Sequence, residues 1–222
     1  MNSTFSKSEL IEIEKQLSCP TGDFGIKVAE NMNISNINMT LKTIETLSIQ
    51  NQDSVLELGH GNCAHLSELL NNAKNINYTG LDISETMIAE AQKNNASLMK
   101  NHQIKFVHYD GAKIPFLDQS FSKIMTINTL YFWEAPVFML NELYRVLAEG
   151  GTCAISFAHK EFMMKLPYVG EKFRLYSIDD VYELVELSPF EVSGVETYTE
   201  DVQSKTDEVV SRTYSIVTLL RE

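Results

Sequence analysis

Val55-Leu56-Glu57-Leu58-Gly59-His60-Gly61-Asn62-Cys63 is an apolar run carrying one acid and closed by two spaced glycines and a polar turn. It reads as a buried strand that stops at a ligand. Gly59 and Gly61 permit backbone conformations and a closeness of approach that any side chain would obstruct. Leu66, Leu69 and Leu70 then recur at helical spacing, which places a helix start near residue 63. A strand, a glycine turn and a helix N-terminus together aim backbone N–H groups at a polar ligand.

Downstream, strand and helix signals alternate. Strands are expected at 76–82, 104–109, 123–128 and 152–157, with a helix over 85–99 capped by Ser84. A further helix begins at Pro136, its Leu140, Leu143, Val146 and Leu147 on one face, and Gly150-Gly151 ends it. Such alternation implies right-handed crossovers and a parallel sheet covered by helices on both faces. The last part departs from the pattern: a helix over 178–187 capped by Ser177 precedes β-branched stretches at 190–198 and 212–220 joined without a helix, so that pair must be antiparallel.

Upstream, Ser6 and Glu9 have capping-box spacing, with Phe5 and Leu10 placed as a hydrophobic staple, and that helix should end by Pro20. A turn cluster at 20–25, a short helix at 26–32, an Asn-rich break across 31–38 and a helix at 39–48 complete the expected cap. Residues 1–50 are thus expected to form a helical cap and residues 51–222 the ligand-binding domain, with an apolar insertion at about 158–176, the whole folding as one structural unit.

The 222 residues carry 18 basic and 30 acidic side chains, a formal charge of −12, and no long Lys/Arg cluster. That balance disfavours nucleic acid and other polyanions as partners. Cys19, Cys63 and Cys153 are odd in number and widely spaced, which suggests free thiols rather than a disulfide framework or a C-x-x-C metal site. His60 and His65 are close in sequence, but no metal site is expected of them. Glu9, Glu12, Glu14 and Lys15 fall where a secretory peptide would be apolar, and no run reaches spanning length, so a soluble cytoplasmic protein without a membrane span is expected.

Two ligands compete for the glycine turn. Residues 59–64 nearly match the dinucleotide pattern G-x-G-x-x-G/A, with Asp82 at the right distance for a ribose, which would make the protein an NAD(P)-dependent oxidoreductase. Glu57, however, sits poorly beside a pyrophosphate and well beside a cationic or zwitterionic ligand.

At this point the chain resembles the class I methyltransferases, in particular the type 11 group that includes the ubiquinone and menaquinone biosynthesis enzymes. Residues 57–63 are similar to the family's E/D-x-G-x-G-x-G loop, and Gly80-Leu81-Asp82-Ile83-Ser84 to its second-strand motif. Asp110-Gly111-Ala112, Ile114-Pro115-Phe116 and Asp118-Gln119-Ser120-Phe121 resemble its D-A-x-x-L-P-F-x-D-x-S-F-D segment, and residues 143–151 its R-V-L-K-P-G-G helix end. Cys63, Ser122 and Glu149 depart from the pattern, standing for a glycine, an acid and a proline.

The resemblance implies a Rossmann-like, seven-stranded, mostly parallel sheet with one antiparallel C-terminal strand, and S-adenosylmethionine (SAM) as cofactor. It implies that Glu57 and the backbone of Gly59, His60 and Gly61 hold the methionine end, and that Asp82 takes the ribose hydroxyls. Ile83 and Met87 would flank the adenine, Asp110 and Gly111 meet its edge, and Asn128 touch the cofactor. Tyr131 and Trp133, after the fourth strand, are candidates for the acceptor pocket, with Phe24 from the cap and Met163 and Tyr168 from the insertion. The D/N-P-P-Y/F motif of enzymes acting on nucleic-acid bases is absent at 128–133, so a small-molecule acceptor is expected. Methyl transfer needs alignment more than acid–base help, and His159 is the one histidine placed to act as a base. A SAM-binding sensor or partner subunit without transferase activity is the alternative.

Overall fold

The computed structural model describes residues 5–203 and 209–222. Seven strands form one sheet: β1 Ser54–Leu58, β2 Asn77–Asp82, β3 Gln103–His108, β4 Phe121–Ile127, β5 Leu147–Ala158, β6 Glu191–Gln203 and β7 Val209–Leu220. Their order is β3-β2-β1-β4-β5-β7-β6. All pairings from β3 to β5 are parallel, and β7 runs antiparallel to both β5 and β6. The chain order reverses on either side of β1, so the C-terminal ends of β1 and β4 flank the crevice where ligands of open α/β sheets bind.

Helices α1 (Lys7–Ser18) and α2 (Gly22–Thr46) precede the sheet; α3 (Leu66–Leu70), α4 (Glu85–Asn94), α5 (Pro136–Val146), α6 (Lys160–Met163) and α7 (Ile178–Glu186) follow in turn. Ser6 and Glu9 make a reciprocal capping box at α1, as Ser177 and Asp180 do at α7, and the Ser84 hydroxyl accepts the Met87 N–H at α4. The core between sheet and helices is dry, with Val55, Leu56, Ile124, Ala154 and Ile216 at or near zero exposure.

Three expectations are corrected. The Asn-rich stretch does not break the cap: α2 is one helix of 25 residues. Asparagine is only a weak helix former, and here tertiary bonds overcome that preference. Arg212 donates to Asn36 Oδ1 at 2.6 Å and to the Ser35 carbonyl at 2.8 Å, Asn38 donates to Glu200 at 3.0 Å, and Met39, Thr43 and Ile44 are buried. Gly150 and Gly151 do not separate α5 from the strand. The helix stops at Val146, β5 starts at Leu147, and the glycines lie within an irregularity of the β4–β5 pairing, Gly150 at φ +71°. Finally α4 ends at Asn94, five residues short of expectation, where Asn95 turns its amide back to the Ala91 carbonyl.

Candidate active site

The turn after β1 is built by conformations that side chains resist. Gly59 has φ +75°, donates its N–H to Leu81 O at 2.7 Å, and carries no Cβ because one would lie 2.3 Å from Thr129 Cγ2. Gly61, at φ +56°, differs: a Cβ there would meet nothing within 4 Å. Its hydrogen faces open space, and its N–H donates to Asp82 Oδ2 at 3.0 Å. His60 turns its ring inward, Nδ1 at 2.7 Å from Gly61 O and the ring 5.0 Å from Phe106, over a hollow that Gly80 provides. Burial lowers the pKa of this imidazole below its ordinary value, so His60 faces the turn as backbone.

Glu57 does not project toward that open space. Its side chain is 2% exposed, and its Oε2 accepts from the Tyr78 hydroxyl and lies 3.0 Å from His65 Nε2. The methionine-end role expected of it is thus corrected to support of the turn from beneath, because the carboxylate is already engaged by two buried partners. Burial alone would raise the Glu57 pKa, yet the charge and hydrogen bond of His65 hold it below the usual value, and Glu57 in turn raises the His65 pKa against burial. Cys63 closes the chain of contacts, its sulfur 3.2 Å from the Tyr78 hydroxyl and its backbone at φ +48°. Behind it, the Asn94 and Asn95 amides donate to the carbonyls of Asn62 and Cys63 at 3.1 and 3.0 Å. Tyr78, Asn94 and Asn95 escaped sequence reasoning, since none of them stands in a motif of the glycine turn.

Asp82 ends β2 with its carboxylate oriented by two backbone donors, Gly61 and, at 2.9 Å, Ser84. Burial raises its pKa. A carboxylate offers about four acceptor positions, so two remain for a ligand. Ile83 is 37% exposed beside it and packs near Gly111, which has φ +83°. Met87 is fully buried behind Ser84, which removes it from direct contact with a ligand. Asp110 is exposed and folds back to accept from the Ala112 and Lys113 N–H groups, the first of which chiefly lowers its pKa. The turn between α1 and α2 lies over this edge: the Ser84 hydroxyl donates to Pro20 O, and the Gly22 N–H lies 3.4 Å from the Thr86 hydroxyl.

Asn128 follows β4 at φ +57°, and its side-chain oxygen accepts the Tyr131 hydroxyl at 3.0 Å. The same Tyr131 oxygen accepts the Ala158 N–H at 2.6 Å, tying the end of β4 to the end of β5. Beside this tie opens a cavity of about 630 Å³. Asn128, Tyr131, Phe24, Met163 and Tyr168 all line it. Trp133 does not; it is buried in the core, 7% exposed, because its backbone turns away after the single helical turn Leu130–Phe132. His159 is also outside the lining: Nε2 lies 2.8 Å from Ser215 Oγ, its ring stacks on Phe157, and burial lowers its pKa. Sequence reasoning missed the far wall, where Arg212 is held by Glu200 at 2.6 Å beside Asp201, Val202 and Val210. No pattern near the glycine turn points to a hairpin so distant in the chain.

Residues 55–151 match the family described as methyltransferase domain. That segment is similar to class I methyltransferase domains. The chain is 28% identical over 126 residues to the uncharacterized methyltransferase YdaC of Bacillus subtilis, covering 56% of the chain and 67% of that relative. Its fold superposes on a SAM-dependent methyltransferase of Aquifex aeolicus with a TM-score of 0.61 at 17% identity, over 98% of this chain and all of the other. The [4+2]-cyclase SpnF shares the fold as well, at a TM-score of 0.66 and 17% identity over 83% and 81% of the two chains. Among the described residues no helix is long and apolar enough to cross a membrane.

Proposed function

We propose that this protein transfers a methyl group from SAM to a small, largely apolar acceptor held in the cavity beside Asn128 and Tyr131. The observation that carries this reading is adjacency. Thr129, one residue from Asn128, packs directly on Gly59 of the glycine turn, so the cavity and the turn share a wall.

The residues present fit the cofactor. The open space over Gly61 is a cradle that a Cβ would fill, Asp82 keeps free acceptor positions, and Ile83 offers an exposed apolar surface. On this reading the backbone of Gly59, His60 and Gly61 meets the methionine end, Asp82 the ribose, and Ile83, Asp110 and Gly111 the adenine. When bound, SAM supplies a methyl carbon on a sulfonium leaving group, open to in-line displacement. The chain's part is to align the acceptor, through Tyr131 and Asn128, and to exclude water, through the α1–α2 turn and the apolar insertion. The cavity's phenylalanines, leucines and two methionines suit an uncharged acceptor, and the formal charge of −12 disfavours a nucleic acid.

The SpnF fold match gives substance to a second reading, a SAM-binding protein that does other work. A thermal-shift panel and a transfer assay separate the possibilities. S-adenosylhomocysteine (SAH), but not NAD(H) or NADP(H), should raise the Tm, and labelled methyl should pass from SAM into an organic extract of small molecules. Stabilisation by the nicotinamides alone would overturn the cofactor assignment; SAH binding without transfer to any extract would favour the second reading.

A further inference from the structure

No metal is expected at His60 and His65 from the sequence, but the fold gathers His65 with two other ligand types from the same stretch. A carboxylate oxygen of Glu57, the sulfur of Cys63 and a ring nitrogen of His65 all lie within 4.8 Å of one another, and all three side chains are buried. They come from three structural units: the end of β1, the glycine turn, and the residue before α3. The Tyr78 hydroxyl reaches the same point, bonded to Glu57 and 3.2 Å from the Cys63 sulfur.

The donor set is selective. One thiolate, one imidazole and one carboxylate form a borderline-soft tetrahedral site with its fourth position open, a pattern that favours zinc over calcium or magnesium. Charge supports the assignment. A thiolate and a carboxylate beside a neutral imidazole sum to −2, which a divalent cation neutralises in a region where an unbalanced charge is costly. Cys63 also occupies a left-handed backbone position, φ +48°, at which a non-glycine residue costs about 1–2 kcal/mol. The side chain placed there against that cost is a thiol directed at a carboxylate and an imidazole.

We propose that Glu57, Cys63 and His65 bind a zinc ion beneath the glycine turn. Tyr78 hydrogen-bonds to the Glu57 ligand and orients it. On binding, the thiol releases its proton to water, as does the His65 imidazole if it is cationic, and the metal takes the vacated lone pairs. The ion clamps β1, the turn and α3 into one unit, fixing the backbone at Gly59 and Gly61 from behind. The site is independent of the identity of the cofactor or acceptor.

The test uses the tag-free full chain, stripped with chelator and titrated with Co²⁺ and then Zn²⁺. One equivalent of Co²⁺ should give intense tetrahedral d–d bands and a thiolate-to-cobalt charge-transfer band, both abolished by one equivalent of Zn²⁺. Cys63→Gly, which relieves the left-handed strain and so should fold, must lose the charge-transfer band and weaken Zn²⁺ binding roughly tenfold or more. Its metal-free Tm and its binding of SAH confirm an intact fold. Absence of a thiolate band in the wild-type protein, or equal Zn²⁺ affinity in Cys63→Gly, overturns the proposal and leaves the cluster as a hydrogen-bonded chain. Cys19 and Cys153, outside the cluster, serve as internal controls because they remain in the variant.

Discussion

The two ends of the ligand crevice are made in opposite ways. At β1 and β2 the chain presents mainly backbone: Gly59, Gly61 and an acid already oriented by N–H groups. At β4 and β5 it presents side chains gathered from α1, α2, the 158–176 insertion and the β6–β7 hairpin. A backbone site depends on local conformation and tolerates few changes, whereas a side-chain cavity can be relined residue by residue. The contrast teaches which end of the crevice is set by local conformation and which by the identity of its side chains.

Breaking the backbone end should have the largest effects. Asp82→Ala removes a charged acceptor and should weaken SAH binding about tenfold to a hundredfold by calorimetry, against a change of about twofold or less for Cys63→Gly. Equal losses would mean that the ribose lies elsewhere. Gly59→Ala and Gly61→Ala sharpen the comparison within one turn. The first drives a methyl into Thr129 and should cost about 2–4 kcal/mol of stability; the second costs about 1–2 kcal/mol for its φ alone, and its larger effect should fall on SAH affinity.

At the side-chain end, Tyr131→Phe removes the 2.6 Å partner of the buried Ala158 N–H, leaving it the 3.4 Å bond to Asn128 Oδ1, and should cost about 0.5–1.5 kcal/mol by denaturant unfolding while leaving SAH binding unchanged. Phe24→Ala should change acceptor KM with little effect on Tm, since Phe24 is exposed at the cavity mouth, whereas Met163→Ala should change KM and also cost about 2–5 kcal/mol, since Met163 is buried.

The smallest expected effect lies between the two ends, on the segment after Asp110. Arg145 donates to Phe116 O, Ile114 O and Asp118, and pairs with Glu142, whose carboxylate accepts the Ile114 N–H. The hydrogen bond from Arg145 is the main reason that the Glu142 carboxyl ionises below its ordinary 4.5. A depressed carboxyl stabilises the fold above pH 4.5 and loses that contribution as pH falls through its folded pKa. The Tm gap between wild type and Glu142→Gln should therefore be constant at neutral pH and close below 4.5.

Most of the first end was legible in the residues because its elements are short and their signals local. Ser6, Ser84 and Ser177 announced their caps, and the glycines, Asp82 and Asp110 stood in order along the chain. The second end was legible only in part. Phe24, Tyr131, Met163 and Tyr168 could be guessed as pocket residues from their position and apolar character, but Trp133 has the same character and packs inward. Arg212 could not be placed, because two of its partners, Ser35 and Asn36, come from a distant part of the chain and only Glu200 is its neighbour across the hairpin. The same long-range bonds explain why α2 runs through an asparagine-rich stretch that propensity alone would interrupt.

The turn between α1 and α2 touches both doors. At one it bonds to Ser84 and Thr86 on the cofactor edge; at the other, α1 sends Glu14 to accept the Lys172 N–H of the insertion at 2.7 Å. Gln16 fastens the two helices together through Thr21. One strap therefore bonds to both ends of the crevice, through the α1–α2 turn to α4 and through α1 to the insertion, so a shift of α1 at one end is carried to the other.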